Sequence, residues 1–138
     1  MPLQPLRIID ANLNRLSEGL RFLEDVARFL LNDLELSQQF KLVRHSLRNE
    51  ARSLGVKLLS QRNSEQDVGA NLDVIASEAM QSQQDLPSLV TANAKRAEES
   101  LRVIEELAKL PEISPMVDSA KFKQERFNLY SLEKRLVS

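Results

Sequence analysis

Shifted by 81 residues, one stretch of this sequence falls on another. Ile9–Phe29 reads IDANLNRLSEGLRFLEDVARF and Val90–Leu110 reads VTANAKRAEESLRVIEELAKL, with 8 of 21 positions identical. Ala11, Asn12, Arg15, Glu18, Leu20, Arg21, Glu24 and Ala27 recur as Ala92, Asn93, Arg96, Glu99, Leu101, Arg102, Glu105 and Ala108. Unrelated segments would share about one or two residues, so the chain is a duplication. A shift of 82 likewise sets Phe40, Lys41, Arg44 and Leu47 on Phe122, Lys123, Arg126 and Leu129. The repeating unit is therefore longer than one helix.

That unit is a helical hairpin. Leu13, Leu16, Leu20, Leu23, Ala27 and Leu30 recur at steps of three and four, as do Leu36, Phe40, Val43, Leu47, Ala51, Leu54 and Leu58. This is a helical period. The stretch 32–35 between the two seams is short, which sets the helices antiparallel. From Ser60 to Pro87 the chain turns polar, a long connection with one short helix around 72–79. Ser88 is the expected N-cap of a third helix, and Pro111 and Pro115 bracket the turn into a fourth. The expectation is one all-α domain over residues 1–138, a helical bundle with a pseudo-two-fold axis. Its helices are expected near 7–31, 36–59, 88–110 and 116–137, in repeats 7–59 and 88–137 joined by the connection 60–87.

Composition removes several functions. With no cysteine there is no disulfide, thiolate metal site or thiol nucleophile. The 19 basic and 20 acidic residues nearly cancel, which marks neither a nucleic-acid binder nor a protein drawn to anionic membranes. No apolar run approaches the roughly 18 residues of a membrane span. The opening Met-Pro-Leu-Gln-Pro lacks the basic head and apolar stretch of a signal peptide. A cytoplasmic location is the expectation.

What recurs is more telling than the recurrence, because a repeat kept only for packing would share apolar residues. Five of the eight identities are polar: Asn, Arg, Glu, Arg and Glu. At 100° per residue, Asn12, Arg15 and Gly19 align with Phe22, Val26 and Phe29, while Asn93, Arg96 and Ser100 align with Val103, Leu107 and Leu110. Arg15 and Arg96 thus interrupt an apolar stripe. They are expected to be mostly buried, each against a carboxylate or a bound anion. Gly19, costing about 0.5–1 kcal/mol in a helix interior, would leave room beside them for a bound group. Glu18–Arg21–Asp25–Arg28 and Glu99–Arg102–Glu106–Lys109 read as surface ion-pair ladders.

The run from Asp10 to Phe29 closely resembles the opening of a family in thiamine biosynthesis. These are the short monofunctional hydroxymethylpyrimidine-phosphate kinases, which also occur fused ahead of thiamine-phosphate synthase. The resemblance continues through Leu42-Val43-Arg44-His45-Ser46-Leu47, reappears in Arg62-Asn63-Ser64-Glu65-Gln66-Asp67-Val68-Gly69, and closes with Ala92–Glu106. Asn63 stands where the family pattern has Asp. The resemblance implies transfer of the ATP γ-phosphoryl group to the phosphate of 4-amino-2-methyl-5-hydroxymethylpyrimidine phosphate. It also implies that this chain can stand as one unit of a larger synthase.

Phosphoryl transfer needs positioning and charge stabilisation more than covalent help. Arg15 and Arg96, with Arg44 and Arg62, would hold phosphates, and Lys95 adds a cation beside Arg96. Glu18, Glu99 or Asp67 would hold Mg²⁺. Asn12 and Asn93 offer donor and acceptor to a pyrimidine ring. In a division of labour, the first copy with Gly19 takes the pyrimidine phosphate and the second with Lys95 takes ATP. No glycine-rich phosphate loop occurs, so ATP would rest on side chains and helix N-termini. Two other readings stay open: a silent ligand-binding or assembly domain of a thiamine-phosphate synthase, and a plain helical interaction module. A homodimer and a fused or associated synthase are the macromolecular partners left open.

Overall fold

A computed structural model describes residues 4–55 and 85–137. Helix α1 spans Gln4–Asp25 and runs into a π-helical turn, Val26–Leu30; α2 spans Leu34–Glu50 and ends in a 3₁₀ turn, Arg52–Leu54. Helix α3 spans Leu86–Leu107 and α4 spans Ser119–Val137. No strand occurs among the described residues, and no described helix is long and apolar enough to cross a membrane. The fold is an all-α bundle. The short helix expected near 72–79 lies outside the described residues, as does the end of the second expected helix.

Local chemistry explains the helix ends. Asp33 caps α2, its carboxylate accepting from the Leu36 N–H at 3.0 Å. The expected cap at Ser88 is displaced by three residues. Asp85 is the N-cap of α3, and the Ser88 N–H donates to it at 2.9 Å. That bond, then the Ser88 hydroxyl, holds the Asp85 carboxyl below the usual range. At the other end α3 closes at Leu107 and the chain turns through residues 108–117 before α4.

Neighbouring helices all run antiparallel. Glu24 of α1 meets Arg44 of α2, and Glu105 of α3 meets Arg126 of α4. Between α2 and α4, the Asp118 N–H donates to Glu50, the Ser53 hydroxyl donates to the Met116 carbonyl, and Arg135 pairs with Glu35. The fourth contact is α1 against α3, where the helices come closest. A Cβ on Gly19 would stand 3.3 Å from the Asn93 carbonyl oxygen and 3.4 Å from the Ala97 Cβ. The repeat survives in the contacts: Phe40 and Phe122 are fully buried, as are Leu20 and Leu101 to within 1%. Buried residues of all four helices form one core.

Candidate functional site

The duplicated polar residues divide into those the scaffold uses and those it leaves at the surface. Asn12 and Asn93 are buried inside the stripe, and each donates Nδ2–H to its own helix four residues back. Asn12 reaches the Ile8 carbonyl at 2.9 Å and Asn93 the Leu89 carbonyl at 2.8 Å. Burial without such a partner would be costly, so this bond is what admits an amide into the α1–α3 contact.

Arg44 was expected on a phosphate, yet it is buried and engaged. Its Nε and Nη2 approach the Glu24 carboxylate at 3.1–3.5 Å. Arg126, its repeat equivalent, donates from Nε and Nη2 to Glu105 Oε1 at 3.1 and 3.0 Å, and from Nη1 to the Tyr130 hydroxyl at 3.2 Å. The two halves thus share one interhelical clamp. Both members of the clamp recur in the sequence, and that joint recurrence was the signal for it.

Arg15 departs from the expected burial: it is exposed, and Arg96 is half-buried. The true buried stripe of α1 runs Leu6, Ile9, Asn12, Leu16, Gly19, Leu20, Leu23. Arg15 stands roughly a quarter turn from its centre. Asn12, Gly19 and Val26 of the expected stripe are buried, but Phe22 is only half-buried and Phe29 is 64% exposed, so Arg15 lies on the outer edge of the core stripe and not within it. The room assigned to Gly19 is filled by the α3 backbone. Glu18, Glu99 and Lys95 are exposed on the same two helices as Arg15 and Arg96. Among the described residues no three His, Cys, Asp or Glu side chains converge on a metal position. Arg62 and Asp67 lie outside the described residues. Of the expected ladders, Arg102–Glu106–Lys109 forms, with Glu106 pairing at 3.2 and 3.1 Å.

Glu98 escaped the sequence reading because its repeat equivalent is Ser17, so no comparison of the copies brings it out. It is buried on α3 and hydrogen-bonds Glu133 of α4, while its Oε2 has no partner. Burial first, then the Glu133 hydrogen bond and charge, push its carboxyl up to about 8, against the opposing charge of Lys95. Glu98 therefore keeps its proton near neutrality. An open cavity of about 520 Å³ lies at the α3–α4 connection, between Glu50, Lys109 and residues 114–119, and none of the expected site residues lines it.

Helices α1 and α3 thus carry Arg15, Lys95 and Arg96 together with the exposed Glu18 and Glu99. Among curated relatives, the thiamine-phosphate synthase of Rhodopirellula baltica is 40% identical over 86% of this chain and 32% of its own length. That of Synechocystis sp. is 40% identical over 95% of this chain and 36% of its own. That of Nostoc punctiforme is 38% identical over 95% and 35%. The chain spans about a third of the length of these relatives. No solved structure matches it. The profile of the ThiD2 family matches residues 7–135, nearly the whole chain, and with these relatives it sets the chain among proteins of thiamine biosynthesis: it belongs to the ThiD2 family.

Proposed function

We propose that the chain is the helical unit that captures 4-amino-2-methyl-5-hydroxymethylpyrimidine phosphate for a thiamine-phosphate synthase, fused or associated. The observation that carries this is the extent of the match: relatives with that name contain a counterpart of almost all of this chain in about a third of their length. A unit carried whole beside a synthase suits the handling of that synthase's pyrimidine. Arg15, Lys95 and Arg96, carried on α1 and α3, supply the cations for its phosphate. The Asn12 and Asn93 amide oxygens, unused in the bonds to Ile8 and Leu89, are acceptors suited to the ring amino group.

The second reading is the kinase, favoured by the resemblance of Asp10–Phe29 to the monofunctional enzymes. In it the first copy holds the pyrimidine phosphate and the second the ATP. Magnesium arriving with the nucleotide would neutralise phosphate charge. Glu18 and Glu99, both exposed, do not form a metal cage, but Mg²⁺ commonly takes only one or two carboxylates beside its phosphates and waters.

One experiment separates the readings. The purified chain is mixed with the pyrimidine phosphate, with and without ATP and Mg²⁺, and both binding and diphosphate product are followed. Saturable binding without product supports the capture unit. Product moves the chain to the kinase. Neither binding nor product discards both readings and leaves the plain interaction module.

A further inference from the structure

The tip of the first hairpin carries large apolar side chains in water. Phe29 is 64% exposed, Leu30 58%, Leu31 48% and Leu34 70%, and Leu42, two turns along the same outer face of α2, is 51% exposed. Together they offer roughly 500 Å² of apolar surface, at the upper end of what a monomer shows in one patch. The duplication provides an internal control. At the equivalent positions the second hairpin has Leu110 and Met116, both half-buried, with Pro111, Glu112 and Gln124. The same bundle corner is thus built in the second copy without a bare apolar tip. Folding does not require one.

The first tip is also shaped differently. Residues Val26–Leu30 wind as a π-turn, closed by the Leu31 N–H on the Val26 carbonyl at 3.0 Å. Asn32 then takes φ 54°, a left-handed conformation that Asn tolerates. Val26 and Ala27 stay buried while Phe29, Leu30 and Leu31 point outward, and the Arg28 guanidinium lies 5.0 Å over the Phe29 ring. Single π-turns in helices are frequent at functional positions.

We propose that this tip is the contact through which two copies of the chain form a two-fold dimer. An isologous contact must be self-complementary, since each patch meets its own image. The patch has that character: beside the apolar tip stand Arg28 and Asp25, both exposed, and Glu35, also exposed though paired with Arg135 of its own chain. Across a two-fold axis Arg28 faces acidic groups of the second copy while Phe29 and the leucines pack together. With these flanks added, the buried area approaches the roughly 800 Å² per partner of a stable interface. The contact leaves the exposed side of α1 and α3 open, so it does not depend on the ligand reading above.

The test is sedimentation equilibrium of the full chain over a wide concentration range, beside Leu30→Glu, Leu34→Glu and Phe127→Glu, with circular dichroism as the check on folding. Phe127 is the control, a comparably exposed aromatic on the other hairpin at 52%. The wild type and Phe127→Glu should dimerise, while Leu30→Glu and Leu34→Glu should weaken association about thirtyfold or more with helix content unchanged. Should either leucine variant fail to fold, Leu42→Lys carries the test, with a smaller loss of the same sign. A wild type that is monomeric throughout, or a dimer that survives Leu30→Glu and Leu42→Lys, overturns the proposal.

Discussion

Arg44 and Arg126 were legible as a recurring pair of cations but not as members of clamps, because a sequence shows recurrence and not contact. The distinction matters for mutation. Arg126→Ala strands Glu105, 4% exposed, without its partner, and loss of one member of a buried pair costs about 3–5 kcal/mol. Arg44→Ala should cost less, since the Glu24 side chain keeps 16% of its exposure and water can reach it. Urea denaturation of both variants checks the order, and equal losses would contradict it. Gly19 was read as space for a ligand, a fair inference from a single helix that cannot see the helix opposite. With the Asn93 carbonyl fixed in the α3 ladder, Gly19→Ala should lose about 1 kcal/mol where an exposed helix site would gain. Thermal unfolding reads the sign.

Elements were more readily foreseen than their joints. The seams of Leu16–Leu20–Leu23–Ala27 and Leu36–Phe40–Val43–Leu47 are buried as expected, because period alone decides which face turns inward. The π-turn at Val26–Leu30 and the cap at Asp85 were not foreseen. Both depend on how the chain leaves or enters a helix, which hydrophobic spacing does not encode. The packed contact between α3 and α4 adds a titration. Glu98 binds its proton more tightly when folded, so its stabilising contribution is complete below about 4.5 and is lost as pH rises towards about 8. Glu98→Gln stays neutral and can still donate to Glu133. Its denaturation midpoint should therefore fall less steeply than that of the wild type across that window and exceed it at the alkaline end. Parallel pH profiles for the two proteins would remove Glu98 from the account.

For the whole molecule, the duplication was the most informative feature of the sequence, since it fixed the number of hairpins and the equivalence of their contacts. The burial of the polar stripe was legible only in part: Asn12 and Asn93 lie in the α1–α3 contact, while Arg15 was placed too deep by taking Phe22 and Phe29 for core. An exposed Arg15 and a half-buried Arg96 can still each hold a phosphate. In the two-ligand reading, Arg15→Ala weakens pyrimidine-phosphate binding and Arg96→Ala weakens ATP binding, each by about ten- to hundredfold. Calorimetric titration of both variants with both ligands decides between that division and a single shared site.

The claim beneath both readings is that an anionic pyrimidine rests on α1 and α3. Amide chemical-shift mapping of the chain, titrated with the pyrimidine phosphate, tests it most directly. Saturable shifts should cluster at residues 12–19 and 93–100 on the paired helices and should diminish in Arg15→Ala. Shifts confined to α2 and α4, or none at saturating ligand, would contradict it.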